Sequence, residues 1–281
     1  MPEELSLLHK GREHSNLQPA FLELRTERAE ITVDAKRLET LRLSPLSADA
    51  SAPTIVMLHE GLGSISMWKD FPEQLARAAR SPVLVYSRYG HGKSQRLAEK
   101  RSVDFMHHEA KVVLPELLAK FDIERPVLLG HSDGASIALI HAGMWPEKVR
   151  TLILEAPHVF VEDHSLRSIQ AIRKLYETTD LPAKLARYHD NVDQTFYGWN
   201  DIWLDAKFRN WNIEEFLAPI TCPTLVIQGE QDEYGTLAQV AVIKNRVPHA
   251  ETLILPRCGY WPHRDHTAPT LKAITKLLSS I

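Results

Sequence analysis

Residues 130–134 read Gly-His-Ser-Asp-Gly, entered from the apolar run 126–129 (PVLL) and followed by the helix-like run 135–143 (ASIALIHAG). This strand–turn–helix passage constrains the fold more than any other feature of the chain. A serine on so sharp a turn takes a strained backbone conformation. The turn closes only if the positions two before and two after it are nearly free of side chain, and Gly130 and Gly134 meet that need. Such a turn lifts the Ser132 hydroxyl above the sheet edge. The helix that follows aims its unpaired N–H groups and positive dipole end at the same place. A bare pentapeptide of this kind also arises by chance at an ordinary helix cap. The strand before it and the helix after it favour a candidate nucleophile.

The bulk numbers exclude several alternatives. The 281 residues suffice for one large α/β domain or two small ones. With 44% hydrophobic and 25% charged residues, the chain has the composition of ordinary globular protein. A net charge of −3 argues against nucleic acid as a partner. The two cysteines, Cys222 and Cys258, stand far apart and suggest neither a disulfide framework nor a metal cluster. The first ten residues lack the apolar core of a signal peptide, and no stretch reaches membrane-spanning length. The expectation is a cytoplasmic protein with no membrane partner, whose residues 1–19 form a loose arm.

Short apolar runs alternate with helical patterns. Strands are expected at 30–33, 38–43, 54–58, 83–86, 127–129, 149–154, 224–228 and 252–255, and helices at 67–79, 103–120, 132–142, 236–245 and 269–278. The first two strands are joined by a turn and form a hairpin. The later alternation demands right-handed crossovers and a mainly parallel sheet of eight strands covered by helices on both faces. One segment breaks the rhythm: residues 158–218 hold helical patterns, no convincing strand and ten aromatic residues, Trp199 and Trp203 among them. An insertion after a strand of an α/β sheet reads as a helical lid over a site. Most of its aromatics pack the lid itself, and some face an apolar pocket. The chain thus divides into a core of 20–157 and 219–281 and a lid of 158–218.

A serine needs a base to take its proton, and the base needs a third group to orient it. In the chain order nucleophile, acid, histidine, the acid falls in the loop 229–235 (GEQDEYG), where Asp232 is chosen because its spacing carries it past the turn. Histidines follow the last strand, in residues 256–266 (PRCGYWPHRDH).

Here the chain resembles the α/β-hydrolase fold family, over nearly everything from about residue 20 onward. The matching pieces are 59–64 (HEGLGS), 87–94 (SRYGHGKS), the Ser132 turn, the loop 229–232 and the segment 259–263 (GYWPH). Among its branches the chain is similar to esterases, to carbon–carbon-bond hydrolases of aromatic-ring breakdown and to a menaquinone-pathway lyase. The resemblance implies that the backbone N–H groups of Gly61 and Asp133 form an oxyanion hole. Such donors are worth about 3–4 kcal/mol each by mutational loss. The aromatic lid suggests a small, largely apolar ester or thioester as substrate, with Trp199, Trp203 and Trp261 lining the substrate pocket, and no motif in the chain implies a cofactor.

Two positions depart from the family pattern. Glu60 stands where glycine is usual, and is expected to point away from the oxyanion. Tyr260 stands where the catalytic histidine is usual, and a phenol with a reference pKa near ~10 is a poor base at neutral pH. Three arrangements remain open. His263 takes over as base, held by Asp232, for ester or for carbon–carbon cleavage; Tyr260 serves a different chemistry; or the triad is broken, by nature or by engineering, leaving a ligand-binding relative. His263 is carried forward because imidazole is the group the mechanism needs.

Other signals are weaker. Residues 92–94 (GKS) lack the glycine a phosphate loop requires at 87. His107 and His108 are adjacent on a helical pattern and point about 100° apart, which is poor geometry for one metal. His59-Glu60 has no second histidine at the spacing of a zinc-protease motif. No metal is expected.

Overall fold

The computed structural model describes residues 22–47 and 52–280, so the expected arm 1–19 lies outside the described residues. Eight strands, β1 (Leu24–Val33), β2 (Lys36–Pro45), β3 (Ile55–Leu58), β4 (Val83–Tyr86), β5 (Val127–His131), β6 (Thr151–Glu155), β7 (Thr224–Gly229) and β8 (Glu251–Leu255), form one sheet in the order β1-β2-β4-β3-β5-β6-β7-β8. β1 pairs antiparallel with β2 and β2 with β4; every later pairing is parallel. The helices are α1 (Phe71–Ala79), α2 (Phe105–His108), α3 (Leu114–Lys120), α4 (Asp133–Met144), α5 (Asp163–Thr178), α6 (Leu181–Leu185), α7 (Val192–Leu204), α8 (Leu237–Arg246), α9 (Pro262–Asp265) and α10 (Thr267–Leu278). No helix among them is long and apolar enough to cross a membrane.

The alternation of side chains along each strand divides the core between the two faces. Ile55, Met57, Val83, Val85, Val127 and Leu129 pack with Phe71 and Leu75 of α1 and Ile274 and Leu277 of α10. Val56, Leu58, Leu84, Tyr86 and Leu128 pack with α2, α3, α4 and α8. Because both faces are covered, β3 and β4 are buried at every position, as their unbroken apolar sequences require.

Three departures from the expected elements have physical causes. β1 extends back to Leu24 although most of its residues are exposed, because it pairs along its length with β2 at the sheet edge. Asp34 and Ala35 both take positive φ (49° and 56°), which matches the twist of a two-residue hairpin. The helix expected from 67 begins as a 3₁₀ turn at Ile65–Trp68 and restarts at Phe71, with Lys69 at φ 56° between them. The helix expected over 103–120 widens into a π turn at Glu109–Val113. Pro115 cannot donate to the carbonyl four residues back and its ring crowds that turn, so a wider turn relieves both.

Between β6 and β7 the chain leaves the sheet for α5, α6, α7 and two short 3₁₀ turns. This insertion is held by its own aromatics: Tyr176 stacks on Phe196 (3.6 Å between centroids) and Phe208 on Trp211 (5.4 Å). β3, β5, β6, β7 and β8 all point their C-terminal ends to one edge, and the loops leaving that edge carry every residue of the site.

Candidate active site

At the end of β5, Ser132 takes φ 52° and ψ −116° and caps α4. The two glycines are required by distance: a Cβ on Gly130 would lie 2.4 Å from the Gly134 carbonyl oxygen, and one on Gly134 2.0 Å from that of Leu58. Ser132 N–H donates to the Glu155 carbonyl (2.9 Å), which ties the turn to β6. Residue 133 opens α4, so its N–H has no partner within the helix, and among the described residues neither the Asp133 N–H nor the Gly61 N–H is taken by another acceptor.

The loop after β3 brings Gly61 to the same place. The Glu60 carbonyl accepts from Gly63 N–H (3.0 Å), from His59 Nδ1–H (2.7 Å) and from Arg88 Nη2 (2.8 Å). A trans peptide sets its N–H opposite its C=O, so fixing the Glu60 carbonyl fixes the direction of Gly61 N–H. Arg88 is fully buried. Its own N–H donates to His59 Nε2 (3.0 Å), and its guanidinium lies 3.7 Å from the Asp133 carboxylate. Burial pushes the Asp133 carboxyl above the usual range against the pull of Arg88. Sequence reasoning quoted residues 87–94 but missed this duty of Arg88, because nothing in the motif tells which way the side chain runs.

Tyr260 occupies the base position. It is buried, with its ring against His131 (4.5 Å) and Tyr234 (4.7 Å) and its hydroxyl close enough to Ser132 to be influenced by it. Burial, and next the neighbouring Glu60, hold its phenol well above the ordinary value, so at neutral pH it is a neutral O–H. The Asp232 carboxylate sits nearby without an imidazole: Oδ1 accepts from the N–H groups of Tyr234 (2.7 Å) and Gly235 (3.2 Å), and Oδ2 from Gln228 Nε2 (2.6 Å). Burial pushes Asp232 up to about 6.

The expected Asp232–His263 pair does not form. Pro262 starts α9 directly after Trp261, and that turn carries His263 beneath the elbow, where its Nδ1 meets Glu155 Oε2 at 2.6 Å. Its ring is buried against Trp68 (4.7 Å), Phe71 (5.2 Å) and His131 (5.2 Å). Among the described residues no imidazole is hydrogen-bonded to the Ser132 hydroxyl or to the Asp232 carboxylate. Glu155 and Gln228, the partners that hold His263 and Asp232, end or nearly end their strands. In the sequence Gln228 reads as an ordinary strand position and Glu155 as the residue just past the expected strand 149–154.

Glu60, expected to point away from the oxyanion, folds back under its own loop and is buried, with Oε2 3.8 Å from His131 Nδ1. Burial pushes it up to about 7, so much of its charge is suppressed near neutrality. Two of the three tryptophans assigned to the pocket come from α7. Trp199 lies so close over Gly61 that a Cβ there would be 2.0 Å from its Nε1, and Trp203 Nε1 donates to Asp133 Oδ1 (3.2 Å). Trp261 packs instead on His131 (5.1 Å) and Tyr260 (5.1 Å), under the Arg264 guanidinium. Among the described residues no group of three or more His, Cys, Asp or Glu side chains could hold a metal ion.

A family model described as "Alpha/beta hydrolase family" matches residues 55–273. A 2-hydroxy-6-oxononadienedioate/2-hydroxy-6-oxononatrienedioate hydrolase of Cupriavidus pinatubonensis is 25% identical over 260 residues, covering 82% of this chain and 88% of that protein. The mouse serine hydrolase BPHL is 29% identical over 170 residues, a match spanning 58% of each chain. Among solved structures, the enol-lactonase from Burkholderia xenovorans LB400 superposes with a TM-score of 0.71 at 19% identity, over 89% of this chain and 100% of that one. The match of the family model over most of the sheet, together with the elbow at Ser132, establishes that this chain belongs to the alpha/beta hydrolase family.

Proposed function

We propose that the chain is a serine acyl hydrolase for a small, largely apolar ester or thioester, and that it turns over slowly because no imidazole serves Ser132. The observation that carries the reading is the strained elbow at Ser132 (φ 52°) at the head of α4, together with Gly61 and Asp133 N–H groups that no acceptor among the described residues takes. The hydroxyl would attack the acyl carbon, and the Gly61 and Asp133 N–H groups would stabilise the oxyanion of the tetrahedral intermediate. Collapse of that intermediate expels the alcohol or thiol and leaves an acyl group on Ser132, which water then removes. The apolar cover of Trp199 and Trp203 supports an apolar acyl group. Asp232 and Tyr260 stand where an acid and a base are usual, but a neutral phenol gives little base catalysis. His263, committed to Glu155, is left out of the proton path.

Tyr260 also favours a second reading: a hydrolase fold that captures a small apolar ligand without processing it. Steady-state hydrolysis of a short-chain p-nitrophenyl ester, with Ser132→Ala as blank, separates the two. Turnover above the blank supports the hydrolase. Equal rates in both proteins, with tight binding of the ester, support capture.

A further inference from the structure

Three consecutive carbonyls of the loop that carries Gly61 are each met by a buried imidazole. His59 Nδ1 lies 2.7 Å from the Glu60 oxygen, His91 Nε2 3.0 Å from the Gly61 oxygen and His189 Nε2 2.8 Å from the Leu62 oxygen. A carbonyl only accepts, so each of these nitrogens carries the hydrogen. The opposite nitrogens act as acceptors: His59 Nε2 takes Arg88 N–H (3.0 Å) and His189 Nδ1 takes Gly92 N–H (2.9 Å). The His59 and His189 rings are therefore neutral with their tautomers fixed from both sides, while His91 Nδ1 lies 3.2 Å from both the Tyr89 carbonyl oxygen and Arg101 Nη2. Burial holds all three well below the usual imidazole range, His189 at about 4. The loop needs such bracing because Gly61 and Gly63 flank Leu62, and glycine leaves the direction of its own peptide undecided.

The three histidines come from different parts of the chain. His59 follows β3 directly and His91 lies after β4, but His189 belongs to the insertion between α6 and α7. The same insertion sets Trp199 on Gly61 and hydrogen-bonds Trp203 to Asp133. It is docked beside His189 by Asp190 N–H to the Gly92 carbonyl (3.0 Å) and Thr195 Oγ1 to the Gly90 carbonyl (2.7 Å). Three insertion residues thus touch Gly61, Asp133 or the Leu62 carbonyl beside Gly61.

We propose that the insertion is a working part of the oxyanion hole, and that His189 is a positioning residue which completes the hole only while the insertion is docked. This rests on the reading of Ser132 as nucleophile and extends it. A substrate admitted by displacement of the insertion meets a loosened loop, and the N–H groups regain their aim when His189 returns to the Leu62 carbonyl. Hydrolysis is thereby confined to the closed site, where water is limited and the acyl group is already seated.

The test compares two polar replacements in the full chain. Gln at 189 can place an amide N–H where Nε2 stands and keep the Leu62 bond. Asn is too short for that and keeps only the contact with Gly92. His189→Asn is expected to lower kcat for a p-nitrophenyl ester about tenfold with KM little changed, and His189→Gln to recover most of the loss. Hydrogen exchange supplies a readout independent of turnover: amides of residues 60–64 are expected to exchange faster in His189→Asn and at the wild-type rate in His189→Gln. Unchanged exchange in His189→Asn overturns the proposal, as does a loss that His189→Gln shares equally. A wild-type protein without Ser132-dependent turnover defeats the nucleophile reading instead, and the exchange comparison still decides whether His189 braces the loop.

Discussion

Replacing Tyr260 with histidine restores the one group whose absence dominates the site. The phenol is influenced by both Ser132 and the charge of Asp232, so an imidazole there is expected to serve the nucleophile and to be steadied by the acid. A positioned general base contributes about 10²–10⁴-fold, or roughly 3–5 kcal/mol of barrier. Two features place the gain toward the lower end. Asp232 Oδ2 is already taken by Gln228 at 2.6 Å, so the imidazole must share that carboxylate. The position is also deeply buried, and burial holds another imidazole of the fold, His158, down at about 4, so a new imidazole there stays neutral but resists becoming the imidazolium that catalysis requires. We expect Tyr260→His to raise kcat/KM for p-nitrophenyl acetate about a hundredfold. The acid adds a pH signature. Asp232 is pushed up to about 6, and its ionised form stabilises the imidazolium of the transition state far better than its neutral form, so the gain is present above about pH 6 and fades below it. A folded Tyr260→His protein with wild-type kcat/KM across that range refutes the argument that the missing imidazole limits turnover.

Two further outcomes follow from the same geometry. The carboxyl of Glu60 is raised from 4.5 to about 7, so the fold prefers its protonated form; that contribution is full below about pH 4.5 and is lost as pH rises through about 7. Glu60→Gln should therefore gain on wild type by up to about 3 kcal/mol between those limits, read by urea unfolding at each pH, and a pH-independent difference contradicts it. Gly134→Ala drives a Cβ to 2.0 Å from the Leu58 carbonyl oxygen, a backbone atom with little room to yield. It should lose about 3 kcal/mol or fail to fold, and an unchanged urea midpoint rules out the close-packed elbow.

What the sequence revealed was set by local rules. Gly130, Ser132 and Gly134 announce the elbow because only side-chain-free positions permit the approach of α4 to β3 and β5, and the apolar strands announce a doubly covered sheet. What it concealed depended on side-chain direction and on contacts across the fold. Nothing near His263 in the sequence points to Glu155, more than a hundred residues away, and Pro262 alone turns the imidazole from Asp232 toward it. Glu60 was read as a charge to be turned aside, whereas burial beside His131 suppresses much of that charge. Arg88 and His189 were invisible as partners of one loop because they reach it from β4 and from the insertion. The length of β1 was missed because its pairing with β2, rather than burial, forms it.

If Ser132 is the nucleophile, it becomes acylated by an activated ester. Intact-protein mass spectrometry after brief exposure to p-nitrophenyl acetate, followed by peptide mapping, reads that event whether or not deacylation is slow. One acetyl group on the peptide containing Ser132, absent from Ser132→Ala, is the predicted result. An unmodified wild-type chain, or acetylation that persists in Ser132→Ala, contradicts the claim.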